Sequence, residues 1–101
     1  MTDLYDWLVG QHTGLRTYAS LQRKALKLAS TDAEHGALYH LLAGLAGRHV
    51  ESYDEEPLPA DVAQQAYQRL LTTVGDAERS IRLPPSEQVK ALNRLAATEL
   101  V

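Results

Sequence analysis

Gln11 and His49 are polar residues that interrupt apolar helical stripes. Gln11 falls between Leu8 and Leu15, and His49 falls between Leu45 and Tyr53. An amide and an imidazole at one level of an apolar seam can share a hydrogen bond, and an imidazole can also ligate a metal. An unpaired buried polar group costs ~1–3 kcal/mol, so the two are expected to form a buried polar pair, with a remnant or working metal site as the other reading. Glu51, Asp54, Glu55 and Glu56 follow His49. Negative charge at a helix C-terminus opposes the macrodipole. The run is read as a solvated helix end, with a metal or a basic partner as the other way to offset it. His12, His35 and His40 are scattered, and His35 and His49 lie about four turns apart, too far to share one ion. No Ser-His-Asp order, phosphate loop or cysteine nucleophile can be assembled. No catalytic residue and no metal ligand is assigned, and the reading leans against an enzyme.

Glycine supplies the second unusual pattern. Gly10 and Gly14 lie one turn apart in the first helical segment, and Gly36, Gly44 and Gly47 lie within the second. A glycine inside a helix costs ~1 kcal/mol against alanine, which is easiest to understand where a missing side chain lets another helix approach. Ala43, Gly44, Ala46 and Gly47 make a nearly smooth surface. This patch, with Gly10 and Gly14 as its counterpart, is the candidate helix-packing or dimer contact.

These residues must be positioned by helices. Ala, Leu, Arg and Gln are abundant while Val and Ile are scarce, a balance that favours helix over strand. The first helix is expected from about Asp3 to Ala29, its stripe being Leu4, Leu8, Leu15, Tyr18, Ala25 and Ala29. The second is expected from about Asp32 to Asp54, opened by a capping box of Thr31 and Glu34. Its inner face is Leu38, Leu41, Leu42, Leu45, His49 and Tyr53. A hairpin centred near Ser30 and Thr31 sets Tyr18 opposite Leu42, Gln11 opposite His49, and Trp7 opposite Tyr53. Pro57 and Pro59 end the hairpin. A third helix from about Ala60 to Ser80 follows, with Gly75 as a weak point. A last short helix is capped by Ser86, with Val89, Leu92, Leu95, Ala96 and Leu100 inward. The chain is thus one all-α domain over residues 1–101, a helical hairpin (1–56) followed by C-terminal helices (57–101).

Composition narrows the functional classes. The net charge of −3 scatters ten basic residues among thirteen acids, which argues against nucleic acid. No cysteine is present, so disulfides and thiolate metal sites are excluded. The acidic N-terminal segment lacks the apolar region of a secretory signal, and no apolar run reaches the ~20 residues that span a bilayer. A cytoplasmic protein without membrane contact is expected.

Tyr18-Ala19-Ser20-Leu21 through Ala25, and Leu38-Tyr39-His40-Leu41-Leu42-Ala43-Gly44-Leu45-Ala46-Gly47-Arg48-His49, resemble the first two helices of the ferritin-like superfamily, rubrerythrin in particular. The resemblance spans roughly residues 8–53. It implies a Glu-x-x-His metal motif in the second helix, where this chain keeps His49 but has Ala46 at the Glu position. It implies a glutamate about two turns before the tyrosine, where this chain has Gln11. Di-iron sites need several carboxylates, so these replacements imply that ordinary di-iron chemistry is lost and that no cofactor is bound. The short link at Glu56–Pro59 also departs from the long crossover of ferritins. Trp7 to His12, Leu45 to His49 and Glu55-Glu56-Pro57 resemble parts of hemerythrin, but Tyr53 stands where its His-x-x-x-Glu spacing would need Glu.

The expected fold is therefore a four-helix bundle, ferritin-like or up-down, complete in one chain or completed by dimerisation. The expected function is a non-catalytic module acting through a protein partner or as a homodimer. The alternative is a non-haem iron protein using His49, His12 and the acids near Glu55. A third class, a small-molecule binder, would show a cavity beside Gln11 and His49.

Overall fold

The computed structural model describes residues 3–53 and 58–100. They form α1 (Asp3–Val9), α2 (Leu15–Thr31), α3 (Gly36–Tyr53), α4 (Ala60–Ser80) and α5 (Pro85–Ala96), with a 3₁₀ turn at Ala33–His35 between α2 and α3. No strand occurs among the described residues. The all-α expectation holds, but the described residues form five α-helices rather than four, because the expected first helix breaks at Gly10–Gly14. Two glycines one turn apart remove the helical preference there. The Gly10 and Gln11 amides then bond back three residues, to the Trp7 and Leu8 carbonyls, and close α1 in a tight last turn.

α2 and α3 run antiparallel and pack along most of their length. α1 lies on α2 and α4, and α5 lies on α3 and α4. The helices so follow one another around a ring in the order α2, α3, α5, α4, α1. Into this ring point Leu4, Leu8, Tyr18, Leu21, Leu42, Leu70 and Val74, the largest fully buried side chains. Most of the expected stripes are found inside, but Val89 is 54% exposed and Ala96 is also exposed. Leu92, Leu95 and Leu100 face inward as expected, and Ala91 joins them.

Three helix ends differ from expectation for local reasons. Asp32, not Thr31, opens the turn into α3, its carboxylate accepting from the His35 amide at 3.3 Å. Thr31 turns back and donates to the Lys27 carbonyl of α2. α5 begins with Pro85 in its first turn and Pro84 as its N-cap, so Ser86 is already inside the helix. Proline suits a first turn because its missing N–H would have no partner there.

α1 has seven residues, too few to persist alone in water. α4 holds it at both ends. The buried Glu78 carboxylate accepts the Leu4 and Tyr5 amides at 3.2 and 2.8 Å, at the start of α1. The Tyr67 hydroxyl donates to the Leu8 carbonyl at 2.5 Å, at its end. Between these clamps the Tyr5 ring rests on Gly75, where a Cβ would lie 3.2 Å from the ring. Gly75 is therefore a seat for α1 rather than a weak point of α4.

Removing either clamp should loosen α1. Glu78→Gln, which keeps one acceptor and loses the charge, is expected to cost about 1–3 kcal/mol in urea unfolding, and Tyr67→Phe about 1 kcal/mol. The double variant should cost less than the sum, because both clamps hold one helix. Faster hydrogen exchange at Leu4 and Tyr5 in either single variant checks the mechanism. Additive losses with unchanged exchange would contradict it.

Candidate functional site

His49 sits near the C-terminal end of α3 and is 6% exposed. Its ring stacks on Tyr18 of α2, with centroids 4.0 Å apart and planes 22° from parallel. The Tyr53 ring, one turn along α3, leans on it at 5.1 Å and 52°. The imidazole is thus held mainly as an aromatic slab between two tyrosines. Burial holds its pKa below the ordinary histidine value, so the neutral ring is favoured.

The Tyr18 side chain is fully buried, and its hydroxyl has no hydrogen-bond partner among the described residues. Burial, with Tyr67 adding to it, pushes this phenol up to about 12. Tyr18 therefore contributes an uncharged ring to the seam, and its hydroxyl is an orphan inside the core.

The expected pairing of Gln11 with His49 is replaced by this stack. Gln11 lies in the break between α1 and α2, and its amide donates to the Trp7 carbonyl at 3.2 Å. The cause is the hairpin register. The turn includes the 3₁₀ segment and is centred later than Ser30–Thr31, so α3 is displaced along α2. His49 then meets Tyr18 rather than Gln11, two helical turns away. The same displacement brings Gly47 onto Gln22, where an added Cβ would lie 2.5 Å from the Gln22 Nε2 atom.

The four candidate contact glycines are consequently dispersed. Gly47 is buried against α2 of its own chain, and Ala43 and Ala46 are buried with it. Gly44 is half-buried, and the Arg48 guanidinium lies back over it, Nη1 being 3.4 Å from where its Cβ would stand. Gly10 and Gly14 are exposed in the break, and nothing lies within 4 Å of a Cβ placed at Gly14. The smooth patch is thus largely an intrachain seam.

Beside His49 a cleft of about 210 Å³ opens between the last turns of α3 and residues 98–100. Leu45, His49 and Leu100 form its buried floor, and Arg48, Tyr53 and Glu99 stand around it. Among the described residues no three His, Cys, Asp or Glu side chains converge as a metal site. Asp54, Glu55 and Glu56, which the iron alternative would use, lie outside the described residues. Among the described helices none is long and apolar enough to cross a membrane. No family model, no curated protein and no solved structure matches this chain.

Sequence reasoning missed Glu78 and Tyr67 as paired clamps. Glu78 lies one residue after Ala77 on the apolar stripe of α4, which is the available signal, but its partners are backbone amides more than 70 residues away.

Two outcomes follow from the stack. Between its folded pKa and the ordinary value near 6.5, His49 binds more protons unfolded than folded. The fold should therefore lose stability as pH falls below about 6.5, until the folded pKa is passed. His49→Phe should flatten that slope in urea titrations. The pairing of Asp32 with His35 lowers the Asp32 pKa and acts in a more acidic window, below about 3.8. Tyr18→Phe removes an orphan hydroxyl and keeps the ring. It should leave stability unchanged or raise it by up to ~1–3 kcal/mol, whereas a clear loss would mean that the hydroxyl is bonded in solution.

Proposed function

We propose that this chain is a non-catalytic helical module that acts by binding protein, in the first place a second copy of itself. The observation that carries this reading is the use made of the carboxylate and the imidazole buried in the described core. Glu78 caps α1, and His49 stacks on Tyr18 with Tyr53 tilted against it. Both groups are engaged in holding helices together. The likeness of the α2–α3 hairpin to ferritin-like helices is part of the same proposal, as a scaffold with its carboxylate ligands replaced.

The contact is proposed at the elbow of residues 9–14. Val9 is 54% exposed there, beside the open Gly10 and Gly14. An apolar side chain flanked by bare backbone suits close approach of a second helix. A short chain also gains apolar burial by sharing a surface.

Light scattering on the untagged protein at micromolar concentration is expected to report a dimer. Gly14 has φ −75° and ψ 163°, open to any residue, so Gly14→Leu fits the monomer without strain. That variant and Val9→Glu should both shift the protein towards monomer, with helical content retained by circular dichroism. A wild-type monomer, or a dimer that survives both changes, would defeat the proposal. Stoichiometric iron retained through dialysis would favour the iron-binding alternative instead.

A further inference from the structure

The cleft beside His49 has a chemical character that the self-association reading does not use. Its floor is apolar and aromatic: Leu45, Leu100 and the His49 ring are each at least nine-tenths buried. Its rim carries opposite charges on facing walls, Arg48 from α3 and Glu99 from the C-terminal segment. Both are exposed, and among the described residues neither forms an ion pair. Pockets for drug-sized ligands run from ~300 Å³ upwards, so about 210 Å³ suits something smaller.

We propose that this cleft binds a free α-amino acid with an aromatic or branched apolar side chain. The side chain enters over Leu45 and Leu100 and meets the rings of His49 and Tyr53. The carboxylate turns to Arg48, whose guanidinium can offer two parallel donors. The ammonium turns to Glu99. A lone anion would leave Glu99 unmatched and repelling it, and a lone cation would do the same at Arg48, so a zwitterion satisfies both rim charges. Gly44 fits this arrangement. The Arg48 guanidinium lies back over it, Nη1 being 3.4 Å from where a Cβ would stand, so the charged head stays along α3 beside the cleft. The neutral, stacked His49 adds an uncharged ring to the floor, so the two rim charges set the polarity of the site.

The test is a two-dimensional amide NMR titration of the full chain with L-phenylalanine, run beside phenylacetate and phenethylamine, which carry one charge each. Saturable shifts are expected at residues 45–53 and 98–100. Each single-charge analogue should bind about tenfold more weakly, or worse, the equivalent of roughly 1.4 kcal/mol. Arg48→Met and Glu99→Gln should each weaken L-phenylalanine by about tenfold at unchanged melting temperature, since both side chains are exposed. In the Glu99→Gln protein the advantage of L-phenylalanine over phenylacetate should disappear. Absence of saturable shifts in the wild type at millimolar amino acid would overturn the proposal. So would shifts that survive both substitutions, or phenylacetate binding as tightly as L-phenylalanine. Oligomeric state is read separately by scattering, so self-association and amino-acid binding can fail independently.

Discussion

A seven-residue helix that could not stand alone closes this fold, and a buried carboxylate sets it in place. Glu78 meets the amides of Leu4 and Tyr5 where the first turn of α1 has no intrahelical acceptors, and Tyr67 adds a second donor to the Leu8 carbonyl, which the Gln11 amide also reaches as α1 closes. The charges also run the right way, with the anion at the positive end of the helix dipole. A carboxylate in a core would be expensive without such partners, and orphan amides would be expensive without the carboxylate. Each makes the burial of the other tolerable. Once seated, α1 delivers Leu4 and Leu8 to the core and joins α4 to α2. Without it, the ring of helices would be open on that side.

The hairpin itself is organised around a different kind of contact. His49 stacks face to face on Tyr18 and Tyr53 tilts against it, so a residue that looks like a ligand in the sequence serves as a flat, neutral spacer. The Tyr18 hydroxyl is carried into the core without a partner among the described residues, which makes it a costly element of the seam. Gly47 seats Gln22 about one turn nearer the hairpin turn, so α2 and α3 approach closely just where the rings give way to smaller side chains. Past the rings, the space between α3 and the C-terminal segment becomes the cleft. The stack is thus both the end of the packed seam and one wall of a candidate binding site.

The interior of α2 and α3 was legible because helical periodicity fixes which face of a segment is apolar, whatever that face packs on. Tyr18, Ala25, Leu38 and Leu42 all lie inside for that reason. The helix ends were less legible. Thr31, Asp32 and Ser86 all have capping chemistry, and which one caps depends on where the turn falls, a local competition worth about 1 kcal/mol. The register of the hairpin was less legible still. A slip of two turns carries one apolar stripe onto another with the same pattern, so the stripes alone could not tell Tyr18 facing Leu42 from Tyr18 facing His49.

The sequence by itself determined an all-helical chain, its proline breaks before α4 and α5, its buried stripes, and the presence of polar residues within them. Those properties follow from local propensity and from a period of 3.6 residues, both of which are written in neighbouring positions. Only the tertiary structure decided that Gly10–Gly14 separates two helices, that Gly75 seats a ring, and that Glu78 and Tyr67 act as one clamp. It alone decided that His49 meets Tyr18 and not Gln11. Each of these depends on which distant backbone or ring occupies a given few ångströms of space. That occupancy is set by packing the whole ring of helices at once, and no window of the sequence contains it.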